Sequence, residues 1–232
     1  MNKKFDKSFK TMYESSVLYP GEVHMPVEFL IDTSGSMGSD GKNRPIQQIN
    51  KYFQSIHERF KDYPEIDTID VAVVGFNSRA ITIRNFNPLS RKNHIELLPD
   101  GCSAMGQGIM LSLDNVREER CFYQENGIRF YKPWIIMLTD GSSSDDITVA
   151  KKFILEDQNK NKLRFIAAGI TGCDRNQLSE LTKMSLFIDL TQVSLDIFFD
   201  WVTKVVIESM HVRGMEGKNM IINLPDGVEE IF

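Results

Sequence analysis

The sequence predicts an α/β fold: a doubly wound, mostly parallel sheet with one antiparallel edge strand and helices on both faces. Three observations carry this. Short apolar runs rich in Val and Ile recur along the chain, the pattern of strands buried on both faces. Segments with apolar residues three and four apart lie between them, the pattern of helices that pack on a sheet. One connection, Asn77-Ser78-Arg79, is too short for a crossover and requires an antiparallel pair.

The elements follow in order. Residues 1–24 are mixed and polar, with a turn signal at Pro20-Gly21, and read as an N-terminal extension. Met25–Ile31 is a buried central strand that ends at the polar loop Asp32–Gly41. Pro45 suits the first turn of a helix, and Ile46, Ile49, Phe53, Ile56 and Phe60 form its apolar stripe. Asp67–Phe76 is a second buried strand, and Ala80–Asn85 pairs with it as a hairpin at the sheet edge. Gly101–Gly108 reads as a loop before a helix carried by Ile109, Leu113 and Val116. Trp134–Leu138 is the next strand, ending at Thr139-Asp140-Gly141. Asp145 or Asp146 caps a helix running through Phe153 and Leu155. Leu163–Ile170 is a strand, Gln177–Met184 a short helix, Ser185–Leu190 a strand, and Ser194–Val212 a long amphipathic helix. One domain therefore spans 25–213, and 214–232 is a tail holding a candidate edge strand, Asn219–Asn223.

Composition excludes several classes. The chain is 41% hydrophobic and 25% charged, as in a globular protein and unlike a disordered one. Net charge is −5 with scattered Lys and Arg, so no basic stripe exists for nucleic acid. Apolar runs fall well short of the roughly 20 residues that span a bilayer, so no membrane association is expected. Met1–Lys10 lacks the apolar core of a signal peptide. Cys102, Cys121 and Cys173 are odd in number and far apart, which reads as reduced thiols in a cytoplasm. No pair among His24, His57, His94 and His211 has the helix-face spacing of a zinc site.

In doubly wound sheets, ligands bind beyond the carboxyl ends of the strands. There the first strand delivers Asp32-Thr33-Ser34-Gly35-Ser36, the next loop Ser103, and the Trp134–Leu138 strand Asp140. All are small oxygen donors, suited to Mg²⁺ or Mn²⁺; Ca²⁺, which recruits more carboxylates, fits less well. Alternating side chains of an extended turn bring Asp32, Ser34 and Ser36 to one centre, with Gly35 letting the backbone bend. Neutral hydroxyls leave such an ion electrophilic, with a position open to an outside carboxylate. The run Ser142-Ser143-Ser144-Asp145-Asp146 reads as an exposed loop ending in a helix cap rather than as further ligands. Asp100 reads as a turn former, and Cys102, Trp134 and Trp201 as packing residues.

Asp32-Thr33-Ser34-Gly35-Ser36 resembles the D-x-S-x-S motif of the von Willebrand factor A domain, and Leu138-Thr139-Asp140-Gly141 its Thr-Asp-Gly element. The resemblance covers about residues 25–212. It implies a metal-ion-dependent adhesion site whose metal ligands are Asp32, Ser34, Ser36, Ser103 and Asp140, the last often acting through water. Ser103 stands where the family usually has Thr, keeping the hydroxyl and losing a methyl. Within the family the chain looks most like the bacterial tellurite-resistance TerY-type proteins, through Pro26–Met37, Gly101–Gly106, Pro133–Gly141 and the region of Phe198–Val206. That resemblance implies an adaptor or regulator in a bacterial stress, tellurite-resistance or defence system. Its partner would be a protein presenting an acidic residue to the metal, in systems that often include kinases and phosphatases.

Two other classes compete. A metal-dependent phosphatase or phosphotransferase would use Asp32, but the residue two positions on is Ser34, which cannot serve as general acid, and no Lys is placed to balance phosphate. No G-x-S-x-G, P-loop or G-x-G-x-x-G occurs, so the chain is expected not to be an enzyme. A scaffold that binds no metal is the third reading.

Overall fold

The computed structural model describes residues 21–38, 44–91, 94–170, 172–182, 186–190 and 194–211. Residues 1–20 of the expected extension 1–24, the tail strand Asn219–Asn223, and Met184, Ser185 and Val212 lie outside them, while Val23 and His24 belong to the first strand rather than to the extension. Strands are β1 Val23–Asp32, β2 Ile69–Phe76, β3 Ala80–Pro88, β4 Arg129–Phe130, β5 Trp134–Thr139, β6 Arg164–Gly169 and β7 Leu186–Asp189. Helices are α1 Pro45–Phe60, α2 Met105–Glu125, α3 Thr148–Asn159, α4 Arg175–Leu181 and α5 Leu195–His211.

The seven strands form one sheet in the order β3-β2-β1-β5-β6-β7, with β4 pairing the start of β1. All pairs are parallel except β2–β3, whose register shifts between Val71 and Val74. Side-chain alternation divides the core into two layers. Val27, Phe29 and Ile31 of β1, Val71 and Val73 of β2, and Ile136 and Leu138 of β5 pack against α1 and α5. Leu30, Ala72, Val74, Ile135 and Met137 pack on the other face against α2, α3 and α4. Strands buried on both faces cannot show polar alternation, which is why they read as continuous apolar runs. No helix among the described residues is long and apolar enough to cross a membrane.

Several expectations shift at their edges. The hairpin strand β3 runs on to Pro88, since Asn87 and Pro88 pair with Val71 and Asp70 beyond the register shift, and the Arg84 guanidinium donates to the carbonyls of the same two residues. Strand β4 has only two residues and carries no periodic signal. α2 begins at Met105, inside the expected loop. Gly106 and Gly108 look like loop residues in sequence, yet they are helical glycines in tight contact, Gly108 against the Phe76 ring. Trp134 and Trp201 are buried, as packing residues should be.

The chain leaves β1 toward β2 on one side and leaves β5 toward β6 on the other. The sheet therefore switches direction between β1 and β5. Neighbouring crossovers diverge there and open a crevice at the carboxyl ends of the two strands. Asp32 is the last residue of β1 and Thr139 the last of β5.

Candidate metal centre

Asp32 has 0% exposure at the end of β1, on the face that carries Leu30. Its Oδ1 accepts the Ser34 backbone N–H at 2.8 Å. Its Oδ2 accepts the Ser103 hydroxyl at 3.0 Å and the Thr139 hydroxyl at 2.6 Å. The Ser34 and Ser36 hydroxyls lie 3.0 Å apart, and Ser36 donates to Asp140 Oδ1 at 2.9 Å. All five expected donors thus meet in one crevice, although 104 residues separate Ser36 from Asp140. Burial grades outward: Asp32, Ser34 and Ser103 are buried, Asp140 is half-buried and Ser36 is exposed.

Backbone contacts hold the three loops. Gly35 N–H donates to the Gly101 carbonyl at 3.0 Å, and Asp100 N–H to the Thr33 carbonyl at 2.8 Å. The Ser103 loop is also tied to the β2–β3 hairpin by Ala104 N–H to Asn77 O and by Cys102 N–H to Ser78 Oγ. Gly101 has φ +69°, and a Cβ there would sit 2.3 Å from Ser78 Oγ, so only glycine fits this bend.

The first motif is not an extended turn. After Ser34 the chain enters a short 3₁₀ turn, Gly35–Gly38, and this turn swings Ser36 back over Ser34. Nor does the bend need glycine at position 35, whose added Cβ would make only an ordinary 3.5 Å contact. Cys102 is exposed rather than packed. The Ser142–Asp146 run corrects a further expectation. The α3 N-cap position, Ile147, makes no side-chain capping bond, although Asp146 accepts the Thr148 N–H. Asp145 instead reaches the start of α2, where its oxygens accept the backbone N–H groups of Gly106 at 2.8 Å and Gln107 at 3.0 Å.

Thr139 escaped the sequence reading as a functional residue. It stands beside Asp140 in the motif, but only the parallel register of β1 and β5 puts its hydroxyl on Asp32.

The electrostatics suit a cation. Asp32 and Asp140 make all their recorded hydrogen bonds to neutral groups. Burial raises the Asp140 carboxyl above its usual range; the Ser36 hydroxyl opposes that rise and the Asp32 charge adds to it. Two neighbouring carboxylates with no counter-ion among the described residues, lined by hydroxyl lone pairs, fit a hard divalent ion. Among the described residues no group of three or more His, Cys, Asp or Glu offers a nitrogen- or sulfur-rich alternative. Asp32, Ser34, Ser36, Ser103 and Asp140 are the residues that would hold the ion, directly or through water.

Solved structures share this fold at low identity. Proximal thread matrix protein 1 from the mussel byssus, in a structure with a zinc-occupied MIDAS motif, matches at TM-score 0.56 and 19% identity over 79% of this chain and 46% of that one. The pilus adhesin SpaC from Lactobacillus rhamnosus GG, in its open conformation, matches at TM-score 0.61 and 13% identity over 82% and 31%. BatB from Bacteroides thetaiotaomicron matches at TM-score 0.54 and 17% identity over 82% and 99%. The chain spans less than half the length of the mussel and pilus proteins. No curated protein sequence matches it. The sequence profile of the von Willebrand factor type A domain matches residues 27–194. With that match over most of its length, and with the donor loops at the switch point of a doubly wound sheet, the chain belongs to the von Willebrand factor type A domain family.

Proposed function

We propose that this chain is a metal-ion-dependent protein-binding module whose cation, held by Asp32, Ser34, Ser36, Ser103 and Asp140, takes a carboxylate of a partner protein. The observation that carries the reading is the hydrogen-bonded chain of donors from buried Asp32 to exposed Ser36, with two carboxylates and no counter-ion among the described residues. Mg²⁺ or Mn²⁺ is the ion. Oxygen ligands at about 2.1 Å in an octahedron stand roughly 3.0 Å apart. The Ser34–Ser36 and Ser36–Asp140 separations of 3.0 and 2.9 Å suit that spacing. Zinc, found in the mussel protein, is the competitor.

The phosphatase reading loses support. Asp32 is wholly buried, and both its oxygens are engaged by hydrogen bonds, so it has no path to attack a phosphorus atom. We read the module as non-catalytic. We further read it as an adaptor in a bacterial cytoplasm, in a stress, tellurite-resistance or defence system with kinase or phosphatase partners; the likeness of its motifs to those of TerY-type proteins supports that reading.

Thermal melts test the metal. A ligand at a hundred times its Kd stabilises the native state by about 2.7 kcal/mol. For a domain of this size that raises Tm by about 5–10 °C. Mg²⁺ or Mn²⁺ after EDTA should produce this rise in the wild type and not in Asp140→Ala. Asp140 is the better probe, because it is half-buried, whereas Asp32 anchors a buried network. An equal rise in the variant, or none in the wild type with either ion, contradicts the proposal.

A further inference from the structure

The loop after β5 carries a residue whose role goes beyond the donor set. Asp145 is distant in sequence from α2, yet its Oδ1 and Oδ2 accept the Gly106 and Gln107 N–H groups in the first turn of that helix. Ala104, the α2 N-cap, supplies no side-chain cap, so these N–H groups would otherwise have no intrahelical partner. The carboxylate also sits at the positive end of a 21-residue helix. The same two segments are joined by Ser144 N–H donating to the Ser103 carbonyl at 2.7 Å. The Ser143 hydroxyl donates to Asp145 Oδ1 at 2.6 Å and adds a third hydrogen bond that holds the carboxylate. Gly106 completes the joint: an added Cβ would stand 2.7 Å from the Asp146 carbonyl and 3.1 Å from Asp145 Oδ2.

The joint lies between two donors. Ser103 immediately precedes the capped turn, and Asp140 lies on the loop that provides the cap. We propose that Asp145 is a positioning residue of the metal site: by capping α2 from the β5–α3 loop, it fixes the separation of Ser103 and Asp140. This inference rests on the metal-binding reading. Asp145 has both oxygens turned to α2 and acts through the backbone rather than on the ion. Residues that hold metal ligands in place typically change affinity by about 10- to 100-fold when removed.

The test compares two cap removals. Asp174 caps α4 by the same chemistry, accepting the Gln177 N–H at 3.0 Å. Among the described residues its carboxylate makes no hydrogen bond to the donor loops, and α4 reaches the β5–α3 loop through the Gln177 side chain, which accepts the Ser143 N–H at 2.9 Å. Mn²⁺ is titrated into wild type, Asp145→Ala and Asp174→Ala, with free Mn²⁺ followed by electron paramagnetic resonance and Tm recorded in EDTA. Both variants should melt lower without metal. Asp145→Ala should bind Mn²⁺ at least tenfold more weakly, and Asp174→Ala within twofold of wild type. If Asp145→Ala does not fold, Asp145→Asn, which keeps one acceptor oxygen, carries the same comparison. Affinity within twofold of wild type, or equal weakening in the Asp145 and Asp174 variants, overturns the positioning role while the metal site stands. Absence of Mn²⁺ binding by the wild type overturns the metal reading, and this inference with it.

Discussion

Asp32 shows how one side chain serves both fold and site. A buried carboxylate is costly unless hydrogen-bonded, and Asp32 receives one backbone and two hydroxyl donors. Thr139 is the donor whose loss is simplest to read, since valine keeps its shape. Thr139→Val should destabilise the protein by about 1–3 kcal/mol, because a bond to a charged buried acceptor is lost. Urea unfolding measures this, and a change under about 0.5 kcal/mol would show that the bond is not maintained. The donors Asp32, Ser34 and Ser36 were legible because a single motif holds them. Asp140 was legible because residues that follow strands fall at one end of a parallel sheet, and Ser103 because it lies in a loop that leads into a helix on that sheet and resembles the family's threonine loop. Thr139 and Asp145 were not, since their partners depend on strand register and loop packing that local sequence does not encode.

At the scale of elements, the face opposite α2 depends on the contact between α1 and α5. The Tyr52 and Phe199 rings stack with centroids 3.8 Å apart and planes 8° from parallel, and Phe29 and Phe53 pack edge-on beside them. Arg59 of α1 pairs with Asp200 of α5 and lies over the Tyr52 ring. Phe199→Ala should cost about 3–5 kcal/mol, whereas Asp200→Ala, losing an exposed ion pair, should cost less than about 1 kcal/mol. Chemical denaturation separates the two, and equal losses would contradict the ranking. These helices were legible from spacing: Ile46, Ile49, Phe53, Ile56 and Phe60 are all buried on α1, as are Leu195, Phe198, Phe199, Val202, Val205 and Val206 on α5. On α3 the expected helix was traced through Phe153 and Leu155, both half-exposed, whereas Ile154 between them lies in the core. There Ala150, Ile154 and Asp157 form the inner face, and a polar residue on that face blurs the period.

Across the whole molecule, two buried carboxyls are held well above the usual carboxylate range. Glu28 lies mid-strand in β1, bonded by the Asn115 amide, and burial pushes its pKa up to about 8 against the pull of Ser112 and Asn115. Burial, with the Asp70 charge adding, also takes Glu119 to about 8, while a Tyr123 hydrogen bond opposes it. Both acids are raised on folding. Between about pH 4.5 and 8 the native chain therefore holds more protons than the unfolded chain, so stability falls as pH rises through that window. The slope is at most about 1.4 kcal/mol per pH unit for each group. Tm in EDTA should decline from pH 5.5 to 8, and Glu28→Gln should flatten part of the decline. An unchanged slope in that variant would place the proton elsewhere. The two-layer architecture was legible because the central strands β1, β2, β5 and β6 are buried on both faces, and its switch point then located the site. The account as a whole turns on an ion at that switch point. Anomalous scattering from crystals soaked in Mn²⁺ tests it most directly. The prediction is one peak between β1 and β5, in contact with the Ser34 and Ser36 hydroxyls and weakened in Asp140→Ala. Ordered loops with no peak there, or a peak bound elsewhere, would contradict it.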